Sequence, residues 1–199
     1  MITTIIFDVG GVLVKGDSKD FFEKTAEYLD VEKPDMEKKK EVWNDMQRGK
    51  ISLQEAIKRI LETTISNEEM EEIVDIWGEN WKLDEDMVEF AKNLKKNYRL
   101  FILSNVDRES IEKFKDLHLK SLNFVEEKFH SWKLGMIKPD REIYEYVLEK
   151  IGAKPEECVF IDDRPENIEG AEKVGIHGIV FKNKEQLKND LKILGVKVD

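Results

Sequence analysis

Short apolar runs separated by helical patterns constrain the fold of this chain more than any other feature of its sequence. Residues 2–7 form a β-branched apolar run that ends at Asp8, with Gly10 and Gly11 close behind. Four later runs have the same character, at residues 100–103, 122–125, 159–161 and 176–181. Such continuous runs are typical of strands buried on both faces of a parallel sheet. The helical patterns between them predict an α/β fold with a doubly wound parallel sheet.

The interval between the first two runs is long and helical. Residues 18–81 contain four apolar patterns of helical period, and one of them follows Ser52, a predicted N-cap with Glu55 three residues later. A helical segment inserted directly after the first strand predicts a separate cap domain. We therefore assign residues 1–14 and 85–199 to the α/β core and residues 15–84 to the cap, with hinges near residues 14–17 and 82–86. We expect Trp43, Trp77 and Trp81 to pack inside the cap.

Composition excludes several classes of function. The chain has 33 Lys+Arg and 43 Asp+Glu, a formal charge of −10, which argues against nucleic-acid binding because that affinity comes mostly from cations at phosphates. No apolar run approaches the ~20 residues of a membrane span, and the first residues do not form a signal-peptide pattern. We therefore expect a cytoplasmic protein without membrane contact, and the sequence identifies no protein partner. The single Cys158 excludes an internal disulfide and a cysteine metal cluster.

Polar residues follow the predicted strands, and in an open α/β sheet ligands bind beyond the carboxyl ends of the strands. The residues that we expect at this edge are Asp8, Ser104, Asn105, Lys138, Asp162 and Asp163. A carboxylate can attack phosphorus and form an acyl-phosphate. Several carboxylates repel one another unless a hard cation such as Mg²⁺ neutralises them. A serine hydroxyl and a lysine ammonium suit the phosphoryl oxygens.

The motifs that contain these residues resemble those of the haloacid dehalogenase (HAD) superfamily. In chain order they are Asp8-Val9-Gly10-Gly11-Val12, Leu103-Ser104-Asn105, Gly135-Met136-Ile137-Lys138-Pro139 and Phe160-Ile161-Asp162-Asp163. The chain is most similar, over its whole length, to bacterial sugar-phosphate phosphatases of the α-glucose-1-phosphate type, which carry a helical C1 cap. The resemblance implies a Mg²⁺-dependent hydrolase of small phosphomonoesters, with sugar phosphates among the candidates, that forms an aspartyl-phosphate.

The resemblance also implies a role for each of these residues. Asp8 is the expected nucleophile, and Lys138 is the expected catalytic residue that bridges Asp8 and the phosphoryl group. Substrate binding is expected from Ser104, Asn105 and Lys138. The expected Mg²⁺ ligands are Asp8, the backbone carbonyl of Gly10, and Asp163, with Asp162 as a second aspartate ligand or an outer-shell partner.

Gly10 departs from the usual pattern of this superfamily. HAD phosphatases usually carry an aspartate there, which protonates the leaving group and later activates water, and such catalysis contributes roughly 10²–10⁴-fold. Its absence leaves two alternatives open. One is a 2-haloacid dehalogenase-type hydrolase, although the pair Asp162 and Asp163 favours a metal-dependent phosphoryl site. The other is a weakly active or non-catalytic Mg²⁺-binding module.

Overall fold

A five-stranded parallel sheet forms the centre of the protein in the computed structural model, which describes residues 1–16, 18–37, 39–113 and 121–198. From one edge to the other, the strands are β5 (Glu127–His130), β4 (Arg99–Ser104), β1 (Thr4–Phe7), β6 (Cys158–Asp162) and β7 (His177–Val180). In the central strand, Phe7 is level with Ile102 on one side and with Ile161 on the other. The polar residues that follow these positions therefore meet at one edge of the sheet.

Alternate side chains of each central strand enter two different apolar clusters. Ile5 and Phe7 belong to one cluster, whereas Ile6 belongs to the other. Each cluster is covered by two long helices: α5 (Glu85–Leu94) and α10 (Lys184–Ile193) for the first, and α8 (Arg141–Ile151) and α9 (Pro165–Glu172) for the second. Because alternate residues of a strand point to opposite faces, helices cover both faces of the sheet. The predicted doubly wound α/β fold is confirmed.

Four helices follow the first strand and form their own apolar cluster. They are α1 (Ser18–Tyr28), α2 (Lys40–Gln47), α3 (Leu53–Leu61) and α4 (Asn67–Asn80). The Ser52 hydroxyl accepts the Glu55 N–H at 3.1 Å, as predicted for the N-cap of α3. At the two ends of this segment, β2 (Val14–Lys15) pairs antiparallel with β3 (Lys82–Leu83). The cap boundaries at residues 15–84 stay a prediction, and Asp17 of the predicted hinge lies outside the described residues.

The predicted strand at residues 122–125 is wrong. These residues form turns, and the side chains of Leu122 and Phe124 are buried in the core from there. The strand is β5, a few residues later, where Glu127 is exposed and Phe129 is buried. Among the residues that the structure describes, β5 is an edge strand that pairs only with β4, and an edge strand tolerates charged residues. Its sequence is therefore less apolar than the turn before it.

Two short helices complete the parts of the fold that position the site. They are α6 (Arg108–Lys113), which follows β4, and α7 (Ser131–Leu134), which follows β5 directly. Among the described residues, no helix is long and apolar enough to cross a lipid bilayer.

Candidate active site

Lys138 joins two of the predicted carboxylates. Its Nζ lies 2.8 Å from Asp8 Oδ1 and donates a hydrogen bond to Asp162 Oδ2 at 2.6 Å. All three residues are buried, and Lys138 is only 3% exposed. Burial by itself lowers the pKa of Lys138, but the charges of Asp162 and Asp8 outweigh it and raise the pKa above its usual value. Lys138 is therefore held as an ammonium between two carboxylates.

Asp8 lies at the carboxyl end of the central strand. Its backbone N–H donates to the Ile161 carbonyl at 2.8 Å, which continues the pairing of β1 with β6. Burial raises the pKa of Asp8 to about 7, against the lowering effect of Lys138. Only the ionised carboxylate is a nucleophile, and positive charge nearby favours that form. Positive charge at the site beyond that of Lys138 would therefore increase the ionised fraction of Asp8 at neutral pH.

Asp162 is surrounded by protein donors. One carboxylate oxygen accepts the Arg164 N–H at 2.9 Å, and the Asn167 amide donates to both oxygens at 3.0 Å. Asn167 is fixed in turn, because the Tyr144 hydroxyl donates to its carbonyl at 2.7 Å. The side chain of Asp162 is fully buried. These contacts favour Asp162 as an outer partner that orients the site.

Asp163 is exposed, and its carboxylate lies over the backbone of Gly11. A Cβ added to Gly11 would lie 2.3 Å from Asp163 Oδ2, so only glycine leaves room for the carboxylate here. Partial burial and the charge of Asp162 raise the pKa of Asp163. One oxygen from each of Asp8, Asp162 and Asp163 lies within 4.8 Å of the others. A donor set made only of oxygens suits Mg²⁺, so these residues fit the cation that the sequence predicts.

Ser104 and Asn105 lie at the end of the strand beside β1. Ser104 is buried at the last position of β4. The Asn105 side chain pairs with the backbone of Lys138, since its amide donates to the Lys138 carbonyl and its oxygen accepts the Lys138 N–H, both at 2.9 Å. Asn105 thus holds the loop that carries Lys138. Substrate binding by Asn105 stays a prediction.

A cavity of about 510 Å³ connects these residues with the helical segment. The sheet edge contributes Asp8, Ser104, Asn105, Lys138 and Asp163, and the helical segment contributes Trp43, Met46, Gln47, Trp77 and Trp81. Trp43 and Trp77 are buried in the cap cluster, as predicted, and Trp81 packs against it. The sequence analysis missed that these three tryptophans also line the cavity. A helical apolar pattern shows which face of a helix is buried, but it does not show that part of this face borders a cavity.

Trp81 occupies the space beside Gly10. A Cβ added to Gly10 would lie 3.0 and 3.1 Å from two carbons of the Trp81 six-membered ring. Such contacts are tighter than usual for a Cβ. A carboxylate at this position would therefore require the indole to move.

Asp107 is a buried acid in the cavity wall that the sequence analysis missed. It is 2% exposed, and its carboxylate accepts the Ser110 N–H at 2.8 Å and the Ser110 hydroxyl at 2.5 Å. Burial raises the pKa of Asp107 to about 6. Because it directly precedes α6, its sequence position indicates a helix N-cap, and nothing in the sequence shows that it is buried.

The end of helix α2 is attached to the loops of the sheet edge. The Ser131 hydroxyl donates to the Gln47 carbonyl at 2.7 Å and accepts the Val106 N–H at 2.9 Å. Next to Gln47, Arg48 forms a salt bridge with Asp140 at 3.0 Å. Val106 follows Ser104 and Asn105, and Asp140 follows Lys138. The cap helix is thereby linked to the two loops that carry these predicted site residues.

Comparison with known proteins identifies the family. The sequence profile of the haloacid dehalogenase-like hydrolases matches residues 2–175. The chain belongs to this family. An HAD family enzyme from Bacteroides thetaiotaomicron, solved in complex with magnesium and inorganic phosphate, superposes on 94% of this chain and 99% of its own, with a TM-score of 0.74 and 21% identity. At 21% identity, this structural similarity shows that the two chains share a fold.

Two relatives of known activity match the chain over different lengths. The D-ribitol-5-phosphate phosphatase of Bacteroides thetaiotaomicron is 24% identical over 204 residues, which cover 98% of each chain. The chloroplast flavin mononucleotide hydrolase 1 of Arabidopsis thaliana is 40% identical over 80 residues, which cover 40% of this chain. That alignment spans 33% of the plant protein's length.

Proposed function

We propose that this HAD-like hydrolase is a Mg²⁺-dependent phosphatase of small phosphomonoesters that forms an aspartyl-phosphate on Asp8. The observation that carries the proposal is the contact of the Lys138 ammonium with Asp8 and Asp162, 2.8 and 2.6 Å away, beside a third carboxylate on Asp163. A buried ammonium beside a nucleophilic carboxylate suits a substrate that brings negative charge to that point. A phosphomonoester is such a substrate.

The reaction has two steps at Asp8. Lys138 and Ser104 would hold the phosphoryl oxygens while an oxygen of Asp8 attacks phosphorus, and the bond from phosphorus to the ester oxygen breaks. Water would then attack the phosphorus of the aspartyl-phosphate and release phosphate and the Asp8 carboxylate. Mg²⁺, when held by Asp8, Asp163 and the Gly10 carbonyl with Asp162 behind them, would neutralise charge on the phosphoryl group. Lys138 would hold Asp8 in position through both steps.

Gly10 provides no carboxylate to protonate the leaving group, and Trp81 fills the adjacent space. We therefore expect the rate to rise with the acidity of the leaving alcohol, because a more acidic alcohol departs without a proton. A sugar-1-phosphate has such a leaving group. The match to D-ribitol-5-phosphate phosphatase over nearly the full length of both chains supports a sugar phosphate among the candidates.

The test is phosphate release from a panel of phosphomonoesters, with Mg²⁺ or with a chelator, by the wild type and by Asp8→Asn. We expect release that requires Mg²⁺ and falls at least about 10³-fold in Asp8→Asn, since the variant keeps the size of the side chain but loses the nucleophile. Halide release from a 2-haloacid in the presence of the chelator would instead support the dehalogenase alternative. Mg²⁺ binding with neither activity would support the non-catalytic alternative.

A further inference from the structure

An aromatic wall borders the cavity on the side of the helical segment. We define it as Trp43, Met46, Trp77 and Trp81, all of which line the cavity that contains Asp8 and Lys138. The indoles follow one another edge to face: Trp43 and Trp77 have ring centroids 6.0 Å apart, and Trp77 and Trp81 have centroids 5.1 Å apart. The wall is thus a continuous apolar surface within the candidate active site.

Packing behind the wall holds it rigid. Phe21 contacts Trp77 at a centroid distance of 4.5 Å, and Phe22 contacts Trp43 at 5.2 Å. Both phenylalanines are buried at 1% exposure or less. Indoles fixed in this way lose little conformational entropy when a ligand binds. Their contacts with a ligand therefore contribute more to the binding free energy than contacts of mobile side chains would.

The wall begins beside the nucleophile loop. The Trp81 ring contacts Gly10, two residues after Asp8 in the chain. At the other end, α2 carries Trp43 and Met46 and is attached to the loop after β4 through Gln47 and Ser131. The distance from the phosphoryl position to the wall is therefore set by the fold. The group nearest to this wall in a bound ester would be the one attached to the ester oxygen.

We propose that the leaving group of the substrate is a ring with an apolar face, attached close to the ester oxygen and held against the aromatic wall. The inference rests on the proposed phosphatase function and narrows its substrate class to phosphomonoesters of ring-bearing alcohols. Indole faces bind flat apolar surfaces well, whether these belong to an aromatic ring or to the C–H face of a sugar ring. An acyclic polyol offers no such surface, so the inference gives this chain a different leaving group from the ribitol in the name of the matching D-ribitol-5-phosphate phosphatase.

The experiment compares esters of primary alcohols that differ in the ring: benzyl phosphate, glucose 6-phosphate and glycerol phosphate, all with Mg²⁺. We expect kcat/KM for the better ring ester to exceed that for glycerol phosphate by about tenfold, the size of one good aromatic contact. The ratio of the two ring esters distinguishes an aromatic ring from a sugar ring. Trp43→Leu and Trp81→Leu should each remove most of the preference for the ring ester, through KM more than kcat.

Trp132→Leu is the matched control, because Trp132 does not line the cavity, and it should leave the preference unchanged. Trp81 is only partly buried, so its variant tests the wall even where Trp43→Leu fails to fold. Equal or better turnover of glycerol phosphate by the wild type, or an unchanged preference in Trp81→Leu, would overturn the aromatic wall alone. No Mg²⁺-dependent release from these three esters or from a sugar-1-phosphate would overturn the proposed function as well.

Discussion

At the scale of single residues, the glycines of the first motif determine how closely the carboxylates approach the backbone. Gly11 has φ +73° and lies under the Asp163 carboxylate, whereas Gly135 has φ +68° and nothing within 4 Å of an added Cβ. Alanine at either position therefore has the same backbone strain, about 1 kcal/mol. Only at Gly11 does the added methyl group also displace a proposed metal ligand.

We expect Gly11→Ala to weaken Mg²⁺ binding by roughly tenfold or more, as when the support of a metal ligand is lost. Gly135→Ala should lose similar stability and keep its Mg²⁺ affinity. The measurement is the rise of the unfolding temperature with Mg²⁺ concentration, from which the Mg²⁺ dissociation constant is obtained without an activity assay. Equal Mg²⁺ affinity in the two variants would contradict a direct role for Asp163.

Asp107 makes the stability of the fold depend on pH. Its pKa rises from 3.8 in the unfolded chain to about 6 in the fold, so the folded state binds the proton more tightly. The stabilising contribution of the protonated form is complete below pH 3.8 and is lost as the pH rises through 6. A shift of this size corresponds to about 3 kcal/mol.

We therefore expect the free energy of unfolding of Asp107→Asn, relative to that of the wild type, to increase by about 3 kcal/mol as the pH rises from 4 to 8. The measurement is urea unfolding of both proteins across this pH range. Asparagine keeps an acceptor for the Ser110 N–H. Asp84 is the control: it caps α5, and although partial burial opposes the change, Lys15 lowers its pKa. The free energy of unfolding of Asp84→Asn, relative to that of the wild type, should instead fall as the pH rises, because the ionised form of Asp84 stabilises the fold. Parallel pH curves for Asp107→Asn and the wild type would contradict a raised pKa.

Motif spacing was enough to predict that Asp8 and its polar partners lie close together, because the carboxyl ends of parallel strands lie at the same edge of the sheet. It was not enough to separate Asp162 from Asp163, which are adjacent in the chain and differ only in what the fold places around them. The positions of Trp81 and Asp107 in the cavity wall were missed for a related reason. Each resembles an ordinary packing or capping residue until the cavity is known.

At the scale of elements, Ser131 links helix α2 to the loop after β4 through one hydroxyl. It is fully buried, with Gln47 and Val106 as partners. Ser131→Ala leaves a buried carbonyl and a partly buried N–H without this partner, which costs about 1–3 kcal/mol. The same loss would free α2, and the wall residues on it, from the loop after β4.

We expect Ser131→Ala to lower the free energy of unfolding by about 2 kcal/mol and to raise KM for phosphomonoesters. Ser131→Thr keeps the hydroxyl and should restore KM even if it packs less well. The change in tryptophan fluorescence on adding Mg²⁺ and inorganic phosphate should shrink in the alanine variant and return with threonine. A loss of stability with unchanged KM and fluorescence response would show that Ser131 is structural only.

The element that the sequence analysis placed wrongly shows where pattern reasoning fails. Leu122 and Phe124 have the composition of a strand, but they fill the core from a turn. The strand β5 carries two charged residues, because only one of its edges is paired. The central strands were predicted correctly because both of their faces are buried, which requires a continuous apolar run.

At the scale of the whole molecule, the site lies between an α/β core and a helical segment that leaves and rejoins it through the β2–β3 pair. The parallel sheet and the helical insertion after its first strand were predictable from the sequence. The cavity between them was not, because it depends on how the helices rest on the core. That placement depends on contacts such as Arg48 with Asp140, which are 92 residues apart in the chain.

The most direct test of the central claim is to trap the intermediate. The wild type is mixed with Mg²⁺ and a phosphomonoester that it hydrolyses, and the reaction is quenched in acid during turnover. The protein is then digested, and the masses of the peptides are measured by mass spectrometry. We predict that the peptide containing Asp8 gains the mass of one phosphoryl group and that Asp8→Asn gains none. Phosphate release by the wild type without any phosphorylated peptide, or with the phosphoryl group on another residue, would contradict the account.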